Sequence, residues 1–225
     1  MKQKKVRIEQ MLKDKKGIIF DLDGTILDSS WVWDKVDIKF LGDRGFDVPD
    51  DYVEAISPMG AEKAAEYTIE RFGLHNEKPR DLVREWFDMA KIEYRDKVVC
   101  KPHAKKFIKK MYSQGKKLVI ATSSDRELFI PTLEREGILD YFNDIVTVNE
   151  VERGKGFPDI YIEAAKRIDF SVRQCVVFED IITAIKGAKS GGFQVVAVED
   201  EKSAYYAKEI RAIADLYISS YQQLL

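Results

Sequence analysis

Two carboxylates stand two residues apart directly after a short apolar segment. The segment is Gly17–Phe20, and the acids are Asp21 and Asp23, followed by Gly24. Alternate residues of a strand share a side, so the two carboxylates can project together. Gly24 lets the backbone turn at once and leaves them at the carboxyl end of a strand, where parallel sheets bind ligands. Such a pair requires a raised pKa on one acid or a bound hard cation such as Mg2+, although a turn capped by Asp would also fit the spacing.

Three further polar groups follow strand-like segments downstream: a hydroxyl pair, a lysine and a pair of acids. They are Thr122 with Ser123, Lys155, and Glu179 with Asp180. Hydroxyl and backbone N–H groups can hold phosphoryl oxygens, and Ser124 to Glu127 read as a capping box that would start a helix at this point. A fixed cation such as a lysine can screen the repulsion between a carboxylate and a phosphoryl group. The last two acids could complete a Mg2+ site.

The order and placement of these groups resemble the four motifs of the haloacid dehalogenase superfamily, and the resemblance covers nearly the whole chain. Within the superfamily, the chain is similar to the phosphoglycolate phosphatase and β-phosphoglucomutase-like group, whose members carry a helical cap after the first motif. The first motif is Asp21-Leu-Asp23-Gly-Thr25, and the third resembles the family's Lys-Pro-x-Pro-Asp pattern. The chain departs from the family at Gly156, where Pro is common, and at Ile181 and Ala184 in the helix after the fourth motif.

The resemblance implies a role for each group. Asp21 would be the nucleophile and Asp23 the general acid and base, with Lys155 as the catalytic cation. The residues implied to bind the substrate phosphate are Thr122, Ser123 and Lys155. The residues implied to bind Mg2+ are Asp21, Asp23 through its backbone carbonyl, Asp180 and Glu179.

The elements that would position these groups alternate between strand and helix. Short β-branched runs lie at 17–20, 117–121, 144–148, 175–178 and 194–198, with a last possible strand at 214–218. This pattern predicts an α/β, Rossmann-like core of three αβα layers around a parallel sheet. Between these strands, residues 28–98 show only helical patterns, at 31–41, 52–56, 61–72 and 81–94.

We therefore predict three regions. Residues 17–27 and 99–225 would form the catalytic core, residues 28–98 a small all-helical cap inserted after the first strand, and residues 1–16 a basic N-terminal leader. The loop 56–60 is the best candidate for a cap element that reaches the active site, although an ordinary turn between helices would fit it equally well.

Composition excludes several classes of protein. The chain has 225 residues with 37 basic and 39 acidic side chains, which favours neither nucleic acid nor an anionic membrane as a partner. Cys100 and Cys175, with His75 and His103, fit no zinc or disulfide pattern. The sequence has no membrane-spanning run and no signal peptide, so we expect a cytoplasmic protein, either a monomer or a homodimer.

The predicted function is Mg2+-dependent hydrolysis of a small phosphorylated metabolite through an aspartyl-phosphate. Three alternatives stay open: a β-phosphoglucomutase-like transferase, a phosphonate hydrolase, and a catalytically silent binding protein. Residues 54–61 contain no Arg to grip a second phosphate, which disfavours the mutase. A phosphonate hydrolase would use a cap lysine as a Schiff base, for which Lys35 and Lys63 are conceivable.

Overall fold

The computed structural model describes residues 10–56 and 59–225, which form two compact units. One unit combines the chain up to Ser30 with Val98–Leu225, and the other is Trp31–Lys97. Most of the basic leader and part of the predicted cap loop, residues 1–9 and 57–58, lie outside the described residues, whereas residues 10–14 are helical. The assignment of residues 17–27 and 99–225 as the catalytic core and of residues 28–98 as a cap stays a prediction.

The first unit contains a six-stranded parallel sheet in the order β5-β4-β1-β6-β7-β8. Its strands are β1 Gly17–Phe20, β4 Lys117–Thr122, β5 Asp144–Thr147, β6 Cys175–Glu179, β7 Gln194–Val198 and β8 Leu216–Ile218. The strands are apolar along nearly their whole length because helices cover both faces of the sheet. The α/β, Rossmann-like prediction is therefore confirmed.

Strand register brings the predicted motifs together at the carboxyl ends of the central strands. Phe20, the last residue of β1, pairs with Ile120 of β4 on one side and with Phe178 of β6 on the other. The backbone N–H of Asp21 donates to the carbonyl of Phe178 at 2.9 Å. The polar residues that end these three central strands therefore meet at their carboxyl ends, as expected for ligand sites of parallel sheets.

Trp31–Lys97, the second unit, is helical. Its helices are α1 Val32–Gly42, α2 Tyr52–Ile56, α3 Ala61–Phe72 and α4 Pro79–Asp96. The fourth begins two residues before the predicted start because proline is well suited to the first turn of a helix. The chain enters and leaves this unit through two short strands that were not predicted, β2 Leu27–Asp28 and β3 Val99–Cys100, which pair antiparallel. Two residues are too few to show a periodic pattern.

The helices of the first unit alternate with its strands. They are α5 Ala104–Ser113, α6 Arg126–Arg135, α7 Asp159–Arg167, α8 Ile182–Ser190 and α9 Ala207–Ile213. The predicted capping box at the start of α6 is wrong, because the side chain of Asp125, not Ser124, accepts the N–H of Glu127. Within residues 10–56 and 59–225, no helix combines the length and apolar character needed to cross a membrane.

Helix α8 packs directly against the loop that carries Lys155. A Cβ atom added to Gly187 would lie 2.1 Å from the backbone carbonyl oxygen of Lys155 and 2.9 Å from the carbonyl carbon of Gly156. Both contacts are with backbone atoms, which cannot rotate away. A glycine in α8 is therefore what allows this loop to approach the helix.

We expect Gly187→Ala to lower the free energy of unfolding by about 1–3 kcal/mol through overpacking. The sign is diagnostic, because alanine in a helix interior normally stabilises relative to glycine by up to about 1 kcal/mol. Urea denaturation would measure the change. The matched control is Gly154→Ala, whose added Cβ meets nothing within 4 Å. A Gly187→Ala protein as stable as the control would contradict the close approach.

Candidate active site

A buried lysine joins two carboxylates at the centre of the site. The ammonium group of Lys155 donates to Oδ1 of Asp21 and, at 2.7 Å, to Oε1 of Glu179. All three side chains are largely buried, with exposed fractions of 11% for Lys155, 8% for Asp21 and 1% for Glu179. Buried charges persist only when they are paired in this way, so the lysine is fixed in position beside the carboxylate at the end of β1.

Glu179 is engaged on both of its oxygens. Besides Lys155, Oε1 accepts the hydroxyl of Tyr161 at 3.1 Å. The other oxygen, Oε2, accepts the backbone N–H groups of Asp180 at 2.8 Å and Ile181 at 3.1 Å. Four donors therefore bind the two oxygens of Glu179. These hydrogen bonds hold the carboxylate in one orientation, in which Oε1 faces the ammonium group of Lys155.

Asp180 lies against the glycine turn that follows the first strand. Oδ1 of Asp180 accepts the hydroxyl of Thr25 at 3.1 Å. A Cβ atom on Gly24, whose φ is +77°, would lie 2.4 Å from Oδ2 of Asp180. Glycine at this position therefore serves both the left-handed turn and the close approach of the carboxylate.

Burial and mutual repulsion perturb the titration of these acids. Burial, reinforced by the charge of Glu179, raises the pKa of Asp21 from 3.8 to about 7 although Lys155 opposes the shift. Burial and the charges of Glu179 and Asp21 raise the pKa of Asp180 well above its usual value. Burial disfavours the charge of Lys155, but the charges of Asp21 and Glu179 outweigh it and raise its pKa. The site therefore carries more negative charge than one lysine compensates.

The acidic residues fit a Mg2+ ion. Asp21, Glu179 and Asp180 each offer a carboxylate oxygen, and these oxygens all lie within 4.8 Å of one another. Carboxylate oxygens are the ligands that this hard cation prefers. A divalent charge would offset both the burial and the mutual repulsion that raise the pKa values of Asp21 and Asp180. The donor set therefore matches the predicted cofactor.

Asp23 is held by two serines from different parts of the chain. Ser29 donates to its Oδ1 at 2.7 Å, and Ser124 donates to its Oδ2. The sequence assigned the Ser124 hydroxyl to a helix cap, and nothing in the sequence linked Ser29 to the site. Thr122 is buried at the end of β4, where its hydroxyl oxygen accepts the N–H of Ser124 at 3.0 Å, and the adjacent Ser123 is exposed.

Sequence analysis also missed Tyr161, which anchors Glu179. Tyr161 is the third residue of α7 and stands six residues after Lys155, a position that gave no sign of its partner. The conceivable Schiff-base lysines lie in the helical unit. Lys35 donates to Glu93 at 2.8 Å, and Lys63 is exposed on α3.

Known proteins resemble this chain in both sequence and fold. A family model described as haloacid dehalogenase-like hydrolase matches residues 18–198. YhcW of Bacillus subtilis strain 168 is 30% identical over 189 residues, which cover 83% of this chain and 84% of YhcW. The fructose-1-phosphate phosphatase YqaB of Escherichia coli K12 is 28% identical over 81% of this chain and 95% of YqaB. The crystal structure of β-phosphoglucomutase from Clostridium difficile shares the fold, with a TM-score of 0.71 at 22% identity over 94% of this chain and 93% of that chain.

The raised pKa of Asp21 predicts how stability depends on pH without metal. Between pH of about 4 and 7 the folded protein holds a proton that the unfolded chain has lost, so this group's contribution to the free energy of unfolding falls as pH rises. In EDTA, the melting temperature of the wild type relative to Asp21→Asn should therefore decrease from pH 5 to pH 8. Differential scanning calorimetry would measure it, and a difference independent of pH would contradict the assignment. Added Mg2+ should restore more stability at pH 8 than at pH 5, since it competes with the proton.

Proposed function

The chain belongs to the haloacid dehalogenase-like hydrolase family, and we propose that it hydrolyses a small phosphomonoester in a Mg2+-dependent reaction through an aspartyl-phosphate. The observation that carries the proposal is the buried Asp21, held by Lys155 next to the second acid, Asp23, on the same turn. A carboxylate nucleophile, a fixed cation and an independent proton donor are the groups that a two-step phosphoryl transfer needs. A binding protein would not need the proton donor.

In the first step, a carboxylate oxygen of Asp21 attacks phosphorus, and the bond between phosphorus and the ester oxygen breaks. Asp23 protonates the departing ester oxygen, so the product leaves as an alcohol. In the second step, Asp23 takes a proton from water, whose oxygen attacks the phosphorus of the aspartyl-phosphate. The acyl phosphate bond breaks, and orthophosphate and the carboxylate of Asp21 are regenerated.

Lys155 lowers the charge barrier in both steps. Its ammonium group lies against Asp21, where the negative phosphoryl group must arrive. Glu179 fixes the ammonium group, and the hydroxyl of Tyr161 in turn fixes Glu179. A cation fixed in advance stabilises the transition state without reorganising during the reaction. Thr122 and Ser123, in the turn after β4, would hold the other phosphoryl oxygens with their hydroxyl and backbone N–H groups.

Mg2+ would be held by the carboxylates of Asp21 and Asp180 and the backbone carbonyl of Asp23, and when bound it neutralises charge on the nucleophile and the phosphoryl oxygens. Glu179 was also predicted as a ligand. Because four donors already occupy its oxygens, we propose instead that it acts chiefly as the partner of Lys155. The substrate class is a small phosphorylated metabolite, for which the name of YqaB favours a sugar phosphate.

Phosphate release tests the reaction directly. Fructose 1-phosphate, phosphoglycolate, nucleoside monophosphates and p-nitrophenyl phosphate would be assayed with Mg2+ and with EDTA. We expect Mg2+-dependent release by the wild type and none by Asp21→Asn, which lacks the nucleophile. Asp23→Asn should lose about 10²- to 10⁴-fold in kcat, the usual contribution of general acid and base catalysis.

Full activity of Asp21→Asn would contradict the mechanism. The control is Asp169→Asn, an exposed acid of the same unit, which should keep wild-type rates. Formation of a new phosphorylated product without release of phosphate would indicate transfer to a second substrate instead of hydrolysis.

The roles of Asp180 and Glu179 can be separated by a matched pair of substitutions at adjacent positions. Asp180→Ala removes a proposed ligand, so the Mg2+ concentration for half-maximal activity should rise about tenfold or more, or activity should vanish. Glu179→Gln removes the charge that fixes Lys155, so kcat should fall while the Mg2+ requirement changes little. Isothermal titration with Mg2+ would measure affinity independently of turnover. Equal loss of Mg2+ affinity in both variants would assign Glu179 to the metal.

A further inference from the structure

Asp200, a buried carboxylate at the end of β7, has no part in the proposed chemistry. Its exposed fraction is 6%, and three donors surround it. Ser30 donates its hydroxyl at 2.7 Å, Lys101 its ammonium at 2.7 Å, and Lys202 its backbone N–H at 3.1 Å. Burial disfavours the charge of Asp200, but the bonds from Lys101 and Ser30 outweigh it and hold the pKa below its usual value. Asp200 is therefore an anion with fixed partners.

Two of these partners lie on the two connections between the compact units. Ser30 is the last residue before the helical unit, and Lys101 follows β3, where the chain has returned from it. The backbone N–H of Lys101 donates to the carbonyl of Ile26 at 2.7 Å, and β2 pairs with β3. Asp200 therefore ties both connections, already paired with each other, to the end of β7.

The first connection also carries a contact to the active site. Ser29 donates to the carboxylate of Asp23 at 2.7 Å, and the next residue, Ser30, donates to Asp200 at 2.7 Å. The two hydroxyls sit on adjacent residues, so fixing one limits the movement of the other. A Cβ atom on Gly24 would lie 3.3 Å from the carboxyl carbon of Asp200, which places Asp200 close to the turn that carries the acids.

We propose that Asp200 is a positioning residue that clamps both connections at Ser30 and Lys101 and, through the Ser29–Ser30 pair, sets the orientation of the Asp23 carboxylate. The inference rests on the proposed function for its catalytic consequence but not for the clamp itself. It assigns the segment 28–30 a second task besides linking the units.

The orientation of Asp23 can be tested by comparing substrates with different leaving groups, because a general loss of protein stability would lower the rates for all of them alike. An alkyl phosphate needs a proton from Asp23 on its departing oxygen, whereas p-nitrophenolate is a good leaving group without one. In Ser30→Ala, kcat/KM for the best alkyl phosphate of the panel should fall about tenfold, and kcat/KM for p-nitrophenyl phosphate less than about threefold. The parameter kcat/KM reports formation of the aspartyl-phosphate, so the later role of Asp23 with water does not enter.

Two matched variants control for loss of a serine. Ser30→Thr keeps the hydroxyl and should keep the wild-type ratio of alkyl to aryl rates. Ser113→Ala removes an exposed hydroxyl that donates to the carbonyl of Lys110 at 2.9 Å at the end of α5, and it should also keep this ratio. An unchanged ratio in Ser30→Ala would overturn the positioning of Asp23 by this serine.

Hydrogen exchange tests the clamp without turnover. In Asp200→Asn one of the two acceptor oxygens becomes an NH2 group, so the side chain can no longer accept from Lys101 on one side and from Ser30 on the other. In Lys101→Met the ion pair is gone. Both variants should exchange faster in residues 26–30 and 98–101, with no change in the strands β4 and β6. Unchanged exchange in both connections would refute the clamp. A wild type with no phosphatase activity but faster exchange in these variants would refute the proposed function and retain the clamp.

Discussion

The ion pairs of Lys155 with Asp21 and Glu179 are the interaction on which the rest of the site depends. Three carboxylates, Asp21, Glu179 and Asp180, are buried at the carboxyl ends of two central strands, and the buried ammonium group of Lys155 pairs with the first two. Removing a charge from water without a partner is costly, so this group needs the built-in cation and, for the remaining charge, a bound proton or a second cation. Burial, together with the repulsion from the neighbouring carboxylates, raises the pKa values of Asp21 and Asp180.

The parallel sheet assembles this arrangement from residues far apart in sequence. Lys155 and Asp21 are 134 residues apart, yet the loop that carries the lysine reaches the end of β1 because α8 allows its backbone to approach at Gly187. Gly24 likewise allows the carboxylate of Asp180 to approach the turn after β1. Two positions without side chains therefore bring backbone, lysine and carboxylates into contact. A larger residue at Gly187 or Gly24 would push the Lys155 loop or the Asp180 carboxylate away, and the distances between these charged groups influence their pKa values.

A second layer of hydrogen bonds surrounds these charges and links them to the connections of the helical unit. Glu179 is oriented by Tyr161 and by two backbone N–H groups, and Asp23 by Ser29 and Ser124. Asp200 extends this layer to Ser30 and Lys101. Hydrogen bonds of this kind restrict the rotamers of the side chains that they hold, and correct orientation of reacting groups can lower a reaction barrier substantially. Buried acids without a proposed catalytic role, such as Asp200, are therefore still connected to the site by hydrogen bonds.

The sequence by itself determined the features that depend on local pattern. Apolar runs ending in polar residues identified the five principal strands and the polar groups after them. The helical pattern at 61–72 gave the bounds of α3, which ends at Phe72 and is followed by Gly73 with φ of +66°. Only the tertiary structure decided the partners of those groups. Ser124 contacts Asp23 across 101 residues instead of capping a helix, and Ser30 contacts Asp200 across 170. Such contacts depend on strand order, register and side-chain direction, and these arise when the chain packs, not from the spacing of residues along it.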